Sequence, residues 1–318
     1  MRFLSCPMTD LVLKIGSNEG KRFQIEKWVP EEKLVPYKEW LPDDPPYVTE
    51  YTTHVFHSEN LVFTSKNWVI YLSDLFNVPL KTIHLDCDLY EEEEIDSVME
   101  LISEENRIEI FEIKSEKSIN DRLALSIINR QNATLQLKLL FEPRDGDTFQ
   151  FDFFRHSPQF LNVDHSYWIS LEQLIGIPSE NVYLCRSNLS NRDFGRLVEM
   201  WREGWTPAWK CLMLESLDEL DVDSYVQGLK SEHMISYEHH YRNAILSNKS
   251  IQVHRFRHEV LVASGNTIRT GYHLVRESDE SIVTITQENG RIGWFHIQRD
   301  DPTASFHFRI HPRAFELN

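Results

Sequence analysis

Cysteine is scarce in this chain: Cys6, Cys87, Cys185 and Cys211 are the four thiols in 318 residues, far apart and without a Cys-x-x-Cys pair. That spacing argues against a disulfide framework and against a structural zinc site, and it leaves the thiols as small packing groups. Glycine and proline are also thin, at 11 and 13, and no low-complexity tract occurs, so neither a disordered nor a fibrous chain fits. Basic residues are outnumbered, 33 against 50 acidic, and the net charge of −17 repels phosphate backbones, so nucleic acid is not an expected partner. No interior run approaches the roughly 20 apolar residues that span a bilayer. The opening Met1-Arg2-Phe3-Leu4-Ser5-Cys6-Pro7 lacks the apolar stretch of a secretory signal. The expectation is an intracellular protein, cytoplasmic or nuclear, that does not engage a membrane. No Gly-rich phosphate loop, G-x-S-x-G elbow or H-E-x-x-H occurs, and neither a catalytic residue nor a cofactor is expected.

What the chain does have is core-forming material, 41% hydrophobic and 12% aromatic, together with an internal repeat. At an offset of 99 residues, Leu72, Leu75, Val78, Pro79, Ile83 and Leu85 recur as Leu171, Leu174, Ile177, Pro178, Val182 and Leu184. Ile95, Val98, Met99 and Ile102 recur in the same register as Phe194, Leu197, Val198 and Trp201. Each copy reads as a short helix, a strand, a turn, an amphipathic helix and a second strand. The i, i+3, i+4, i+7 spacing places four apolar groups on one helical stripe, and the strands alternate with period two. Between the copies lie a candidate helix, 119–129, and a candidate strand, 134–140.

Repeated strand–helix–strand units favour a parallel sheet backed by helices. Their unequal lengths predict an α/β, leucine-rich-repeat-like strand-helix solenoid, with an ordinary open α/β sheet as the alternative. Residues 1–56, rich in proline with Trp28 and Trp40, read as an extended arm. Residues 57–145 and 146–235 are the first and second repeat regions. Residues 236–318 turn to β patterning, with turns at Ser278-Asp279-Glu280-Ser281 and Asn289-Gly290, and predict a C-terminal antiparallel β cap.

His254/His258 and His307/His311 have a helical metal-pair spacing, with His239-His240 nearby, but the first two pairs sit in β-patterned segments. There i and i+4 stand about 13 Å apart, too far for one ion, so no metal is expected. The run Glu91 to Glu94 reads as the solvated first turn of a helix. Asp86 and Asp88, at a strand end, are candidate partner-binding residues, since open sheets place contacts there. Trp205 and Trp209, flanking a helix end, are candidates of the same kind, set against a plain core role.

The second copy carries Trp168-Ile169-Ser170-Leu171-Glu172-Gln173-Leu174 and Ser187-Asn188-Leu189-Ser190-Asn191-Arg192-Asp193-Phe194, followed by Leu197, Trp201 and Gly204. This resembles the type 2 F-box-associated domain of nematode F-box proteins, with its pattern W-I-[TS]-L-x-x-L, then S-x-L-[TS]-N-x-D-[LF]-x-x-[FL]-x-x-x-W-x-x-G. Leu75-Phe76-Asn77-Val78-Pro79 is similar to the upstream part of such domains. The late hairpin is similar to their Y-x-[IL]-x-R-x-x-D-G element, with Asp279-Glu280-Ser281 where a glycine is expected. Locally, Ser190 or Asn191 is a suitable N-cap and Gly204 a suitable C′ residue. The resemblance implies the substrate-recognition part of an F-box subunit of a cullin-RING ubiquitin ligase. Its partners would be an unidentified protein substrate and, through an F-box, a Skp-type adaptor and a cullin. An F-box with its L-P-x-x-[LV] entry is not found at the front, where Asp10-Leu11-Val12-Leu13-Lys14-Ile15 reads as a strand. The expected function is therefore a non-enzymatic protein-interaction scaffold, with a stand-alone interaction module lacking any ubiquitin link as the alternative.

Overall fold

The computed structural model describes residues 11–15, 23–27, 54–56, 67, 70–71, 80–89, 92–100, 108–144, 149, 156–229, 231–233, 253–262, 265–276 and 278–298. The chain divides into two compact units, Met1–Asn188 and Leu189–Asn318.

In the first unit the strands are β1 (Leu11–Ile15), β2 (Phe23–Lys27), β3 (His54–Phe56), β4 (Leu80–Asp86), β5 (Ile110–Lys114), β6 (Gln136–Leu140), β7 (Phe160–Val163) and β8 (Asn181–Leu184). They lie in the order β3-β2-β1-β4-β5-β6-β7-β8. From β4 to β8 spatial order follows chain order and every pair is parallel. β1 joins β4 in parallel, while β2 and β3 continue antiparallel. Period-two alternation builds the core directly. Ile83, Phe111, Leu137, Leu161 and Val182 are register partners in one row, and Leu85, Ile113, Leu139, Val163 and Leu184 in the next. All ten are buried. The returns carry α1 (Glu92–Met99), α2 (Asp121–Arg130) and α3 (Leu171–Gly176). The apolar stripes Ile95/Val98/Met99 and Ala124/Ile127/Ile128 are buried, as their helical spacing requires.

The second unit contains α4 (Asn191–Arg202) and the strands β9 (Cys211–Glu215), β10 (Ser231–His233), β11 (Val253–Val262), β12 (Gly265–Arg276), β13 (Ser281–Glu288) and β14 (Ile292–Gln298). Their order is β10-β11-β12-β13-β14-β9. All pairs are antiparallel except β10 with β11. The β13–β14 turn places Asn289 at φ 51° and Gly290 at φ 76°, two successive left-handed residues that match the twist of a tight hairpin.

The molecule is thus mixed α/β with antiparallel C-terminal strands, as the patterning predicts. The helical content of the returns differs from one to the next. The return from β4 to β5 holds α1, that from β5 to β6 holds α2, the short α3 lies between β7 and β8, and no described residue between β6 and β7 is helical. Two elements also depart from the sequence reading. Phe160–Val163 is a strand the patterning does not predict, and Val253 and 259–262, read as ends of two separate strands, belong to one strand, β11. α1 and α4 begin at Glu92 and Asn191, in the register of the repeat. The division at Asn188/Leu189 falls inside the 146–235 region. The predicted helix ending at Val78, and most of the 1–56 arm, lie outside the described residues.

Candidate functional site

α4 is the best-defined element of the second unit because the sequence specifies both of its ends. Ser190 caps it: Ser190 Oγ accepts from the Asp193 N–H at 3.3 Å, and Asp193 Oδ2 accepts from the Ser190 N–H at 2.8 Å. This closed capping box satisfies otherwise orphaned donors. Gly204, at φ 109°, takes the left-handed position after the last turn. One face, Phe194, Leu197, Val198 and Trp201, is buried, with the Phe194 and Phe295 rings edge-on at 6.3 Å.

The end of α4 is held by Arg276 of β12, a buried guanidinium whose five donors are all engaged. Its Nη1 donates to the Trp201 and Trp205 carbonyls at 2.7 and 3.1 Å, and its Nη2 to Thr206 Oγ1 at 2.9 Å. Nη2 and Nε reach the two Asp279 carboxylate oxygens at 2.6 and 3.0 Å. The guanidinium also lies 5.0 Å from the centre of the Trp201 ring. Hydrogen bonds from Arg276 hold the Asp279 carboxyl well below the usual carboxylate range. Beyond it Glu280 stands at φ 55°, a left-handed position that favours glycine.

The opposite face of α4 borders a groove of about 760 Å³. Its far wall is the 3₁₀ turn Ser224–Val226, which approaches at Gly195: a Cβ built there would lie 3.0 Å from the Tyr225 ring. The Tyr225 hydroxyl bonds to the Asn191 side-chain oxygen and lies 3.0 Å from the Asn191 carbonyl oxygen. Burial pushes the Tyr225 phenol far above its ordinary range, so the group stays a neutral donor. Along the helix the groove is lined by exposed Arg192, Arg196, Glu199, Arg202 and Glu203. Among the described residues, no ion pair or side-chain hydrogen bond involves these five.

In the first unit, the face of the β4–β8 sheet opposite the apolar rows carries half-buried side chains. His84, Glu112, Lys138, Asn162 and Tyr183 are register partners across five parallel strands. Glu112 lies 3.4 Å from His84 Nδ1 and 2.9 Å from Lys138 Nζ. Burial opposes its charge, but the hydrogen bonds from His84 and Lys138 prevail and hold the carboxyl at about 2. Phe160 and Tyr183 meet edge-on at 4.5 Å.

Of the residues singled out from sequence, Asp86 and Asp88 do lie together at the end of β4, where Asp86 Oδ1 accepts from the Asp88 N–H at 3.2 Å. Asp88 is engaged in a turn contact: its carboxylate accepts from Ser115 Oγ at 2.7 Å and from the Glu116 N–H at 2.6 Å, tying the β4 end to the loop after β5. Trp205 and Trp209 meet with ring centres 5.8 Å apart. Trp209 has no exposed surface and packs on Phe295, a core role that departs from the partner contact proposed for it, while Trp205 is half-buried. His254 and His258 lie on strand β11, and the other two histidine pairs fall outside the described residues. Cys87 is buried, and burial raises its thiol to about 12, which suits an inert packing group. The α4 groove and the Arg276 clamp were not anticipated. The signal in the sequence is the concentration of Arg and Glu on the non-apolar face of the helix.

Comparison with known families places residues 149–214 in a match to the family described as F-box associated. The matched stretch is about a fifth of the chain and contains β7, α3, β8, α4 and nearly all of β9. The Leu75–Pro79 segment and the late hairpin lie outside it. No curated protein and no solved structure matches the chain.

Proposed function

Taking residues 149–214 as an F-box-associated domain, we propose that this protein is a non-enzymatic, intracellular protein-interaction scaffold that recognises a protein substrate for a cullin-RING ubiquitin ligase. The observation that carries the reading is the coincidence of the family match with α4, whose outer face lines the groove. A protein-binding role suits that groove, which combines charged groups with the partly apolar Met200 and Tyr225 side chains. A non-catalytic role is in keeping with the carboxylates of each unit taken separately: Asp88 and Glu112 in the first, and Asp279 in the second, are engaged in contacts that hold the fold. The in-order parallel run β4–β8 is further read as a leucine-rich-repeat-like array derived from an internal duplication.

The test is affinity purification of the full chain from its source cells, scored by quantitative mass spectrometry. Recovery of a protein partner together with a Skp-type adaptor and a cullin is the expected result. Recovery of partners without adaptor and cullin would leave an interaction module with no ubiquitin link. Recovery of the chain alone would overturn the reading.

A further inference from the structure

Arg192, Arg196, Glu199 and Glu203 are spaced i, i+4, i+7 and i+11, so they form one stripe along the groove face of α4. The stripe is polar end to end, with two cations in its N-terminal half and two anions in its C-terminal half. Arg202 lies about 100° round the helix, at the edge. This order does nothing for the helix itself. Asp193 and Arg202 complement the helix dipole, but Arg192 in the first turn and Glu203 at the C-cap oppose it. Arg before Glu is moreover the weaker orientation for an intrahelical pair, and no such pair forms among the described residues. The four exposed charges of the stripe, which form no ion pair among the described residues and are not ordered to favour the dipole, face the groove and are open to a partner.

From these observations we infer that the α4 groove takes an extended peptide segment carrying an acidic and a basic residue about three positions apart. The inference rests on the protein-recognition role proposed above and names the chemistry of the segment recognised. The spacing follows from geometry. The midpoints of the two charged halves are about seven residues apart on α4, or about 10 Å along its axis, and an extended peptide covers that distance in about three residues. Acidic groups of the segment meet Arg192 and Arg196, and basic groups meet Glu199 and Glu203. The residues between them lie over Met200 and Tyr225, the less polar part of the lining. A phosphate backbone is disfavoured because the acidic half repels it along half of its length.

The full chain, labelled and applied to a peptide array that varies charge and spacing, tests this directly. The wild type should prefer peptides with opposite charges three positions apart by about tenfold over all-acidic, all-basic or more widely spaced ones, the factor expected of two exposed ion pairs. R192E/R196E should move the preference to basic peptides, and E199R/E203R to acidic ones. Thermal melts of each variant verify folding, and light scattering reports oligomeric state. Absence of charge preference, a preference that neither variant moves, or a wild-type dimer that both variants dissociate would each overturn the inference; the dimer would mean that a second copy occupies the stripe. If these fail while all variants still recover the same partners from cells, the recognition role stands and this account of it falls. If nothing is recovered by any of them, the recognition role falls as well.

Discussion

Single residues with remote partners carry much of the second unit's cohesion, and Arg276 is the clearest case. Its guanidinium closes the end of α4 through the Trp201 carbonyl, 75 positions earlier in the chain. Arg276→Leu should lower stability by about 3 kcal/mol, since it removes a buried charged group's hydrogen bonds to two carbonyls, the Thr206 hydroxyl and the Asp279 carboxylate, and Arg276→Lys should recover only part of this. Chemical denaturation of both variants checks the prediction. Glu112 governs a pH response in the first unit. Its folded value of about 2 lies below the ordinary glutamate value of about 4.3, so its contribution is complete above that ordinary value and is lost as pH falls towards 2. Urea melts should therefore show wild type more stable than Glu112→Gln at pH 7, with the difference shrinking between about pH 4 and pH 2. A gap that widened on acidification would contradict this. The stripe on α4 makes a prediction of opposite sign. Arg192→Glu and Glu203→Arg should each raise stability by about 0.3–1 kcal/mol at low salt, because each aligns a charge with the helix dipole. Thermal melts at low and high ionic strength test it.

Among the elements, α4 was the most legible from sequence. Its apolar stripe, its Ser190 cap and its Gly204 stop are all local signals, and each appears where the spacing puts it. The strands β4, β5, β6, β12, β13 and β14 were legible for the same reason, through alternation over several residues. β7 was not, because Phe160–Val163 is only four residues long and, unlike the equally short β8, has no counterpart in the 99-residue repeat to mark it. β11 was read as two pieces because charged residues from His254 to Glu259 interrupt the apolar pattern. The groove escaped notice because its far wall, at Tyr225, lies 30 residues from Gly195, and no periodicity links them. In β14 a Cβ at Gly293 would lie 2.7 Å from both the Phe194 and Leu220 side chains. Gly293→Ala should therefore destabilise the protein by about 1–3 kcal/mol through overpacking against α4, measurable by thermal unfolding.

For the whole molecule, the sequence indicates the class, parallel strands with helices followed by antiparallel strands, but not which returns carry a helix. Apolar alternation encodes which residues face the core and carries no information on how much helix a return contains. The F-box-associated signature was likewise legible because it is local, running through Trp168, Ser190, Asp193, Trp201 and Gly204, and the family match covers it. Recognition of a protein through the α4 face is the central claim. Its most direct test is partner recovery from cells by the full chain, compared between wild type and R192E/R196E. The account predicts a partner recovered by wild type and depleted about tenfold by the variant, for two lost ion pairs. Equal recovery by both proteins would contradict it.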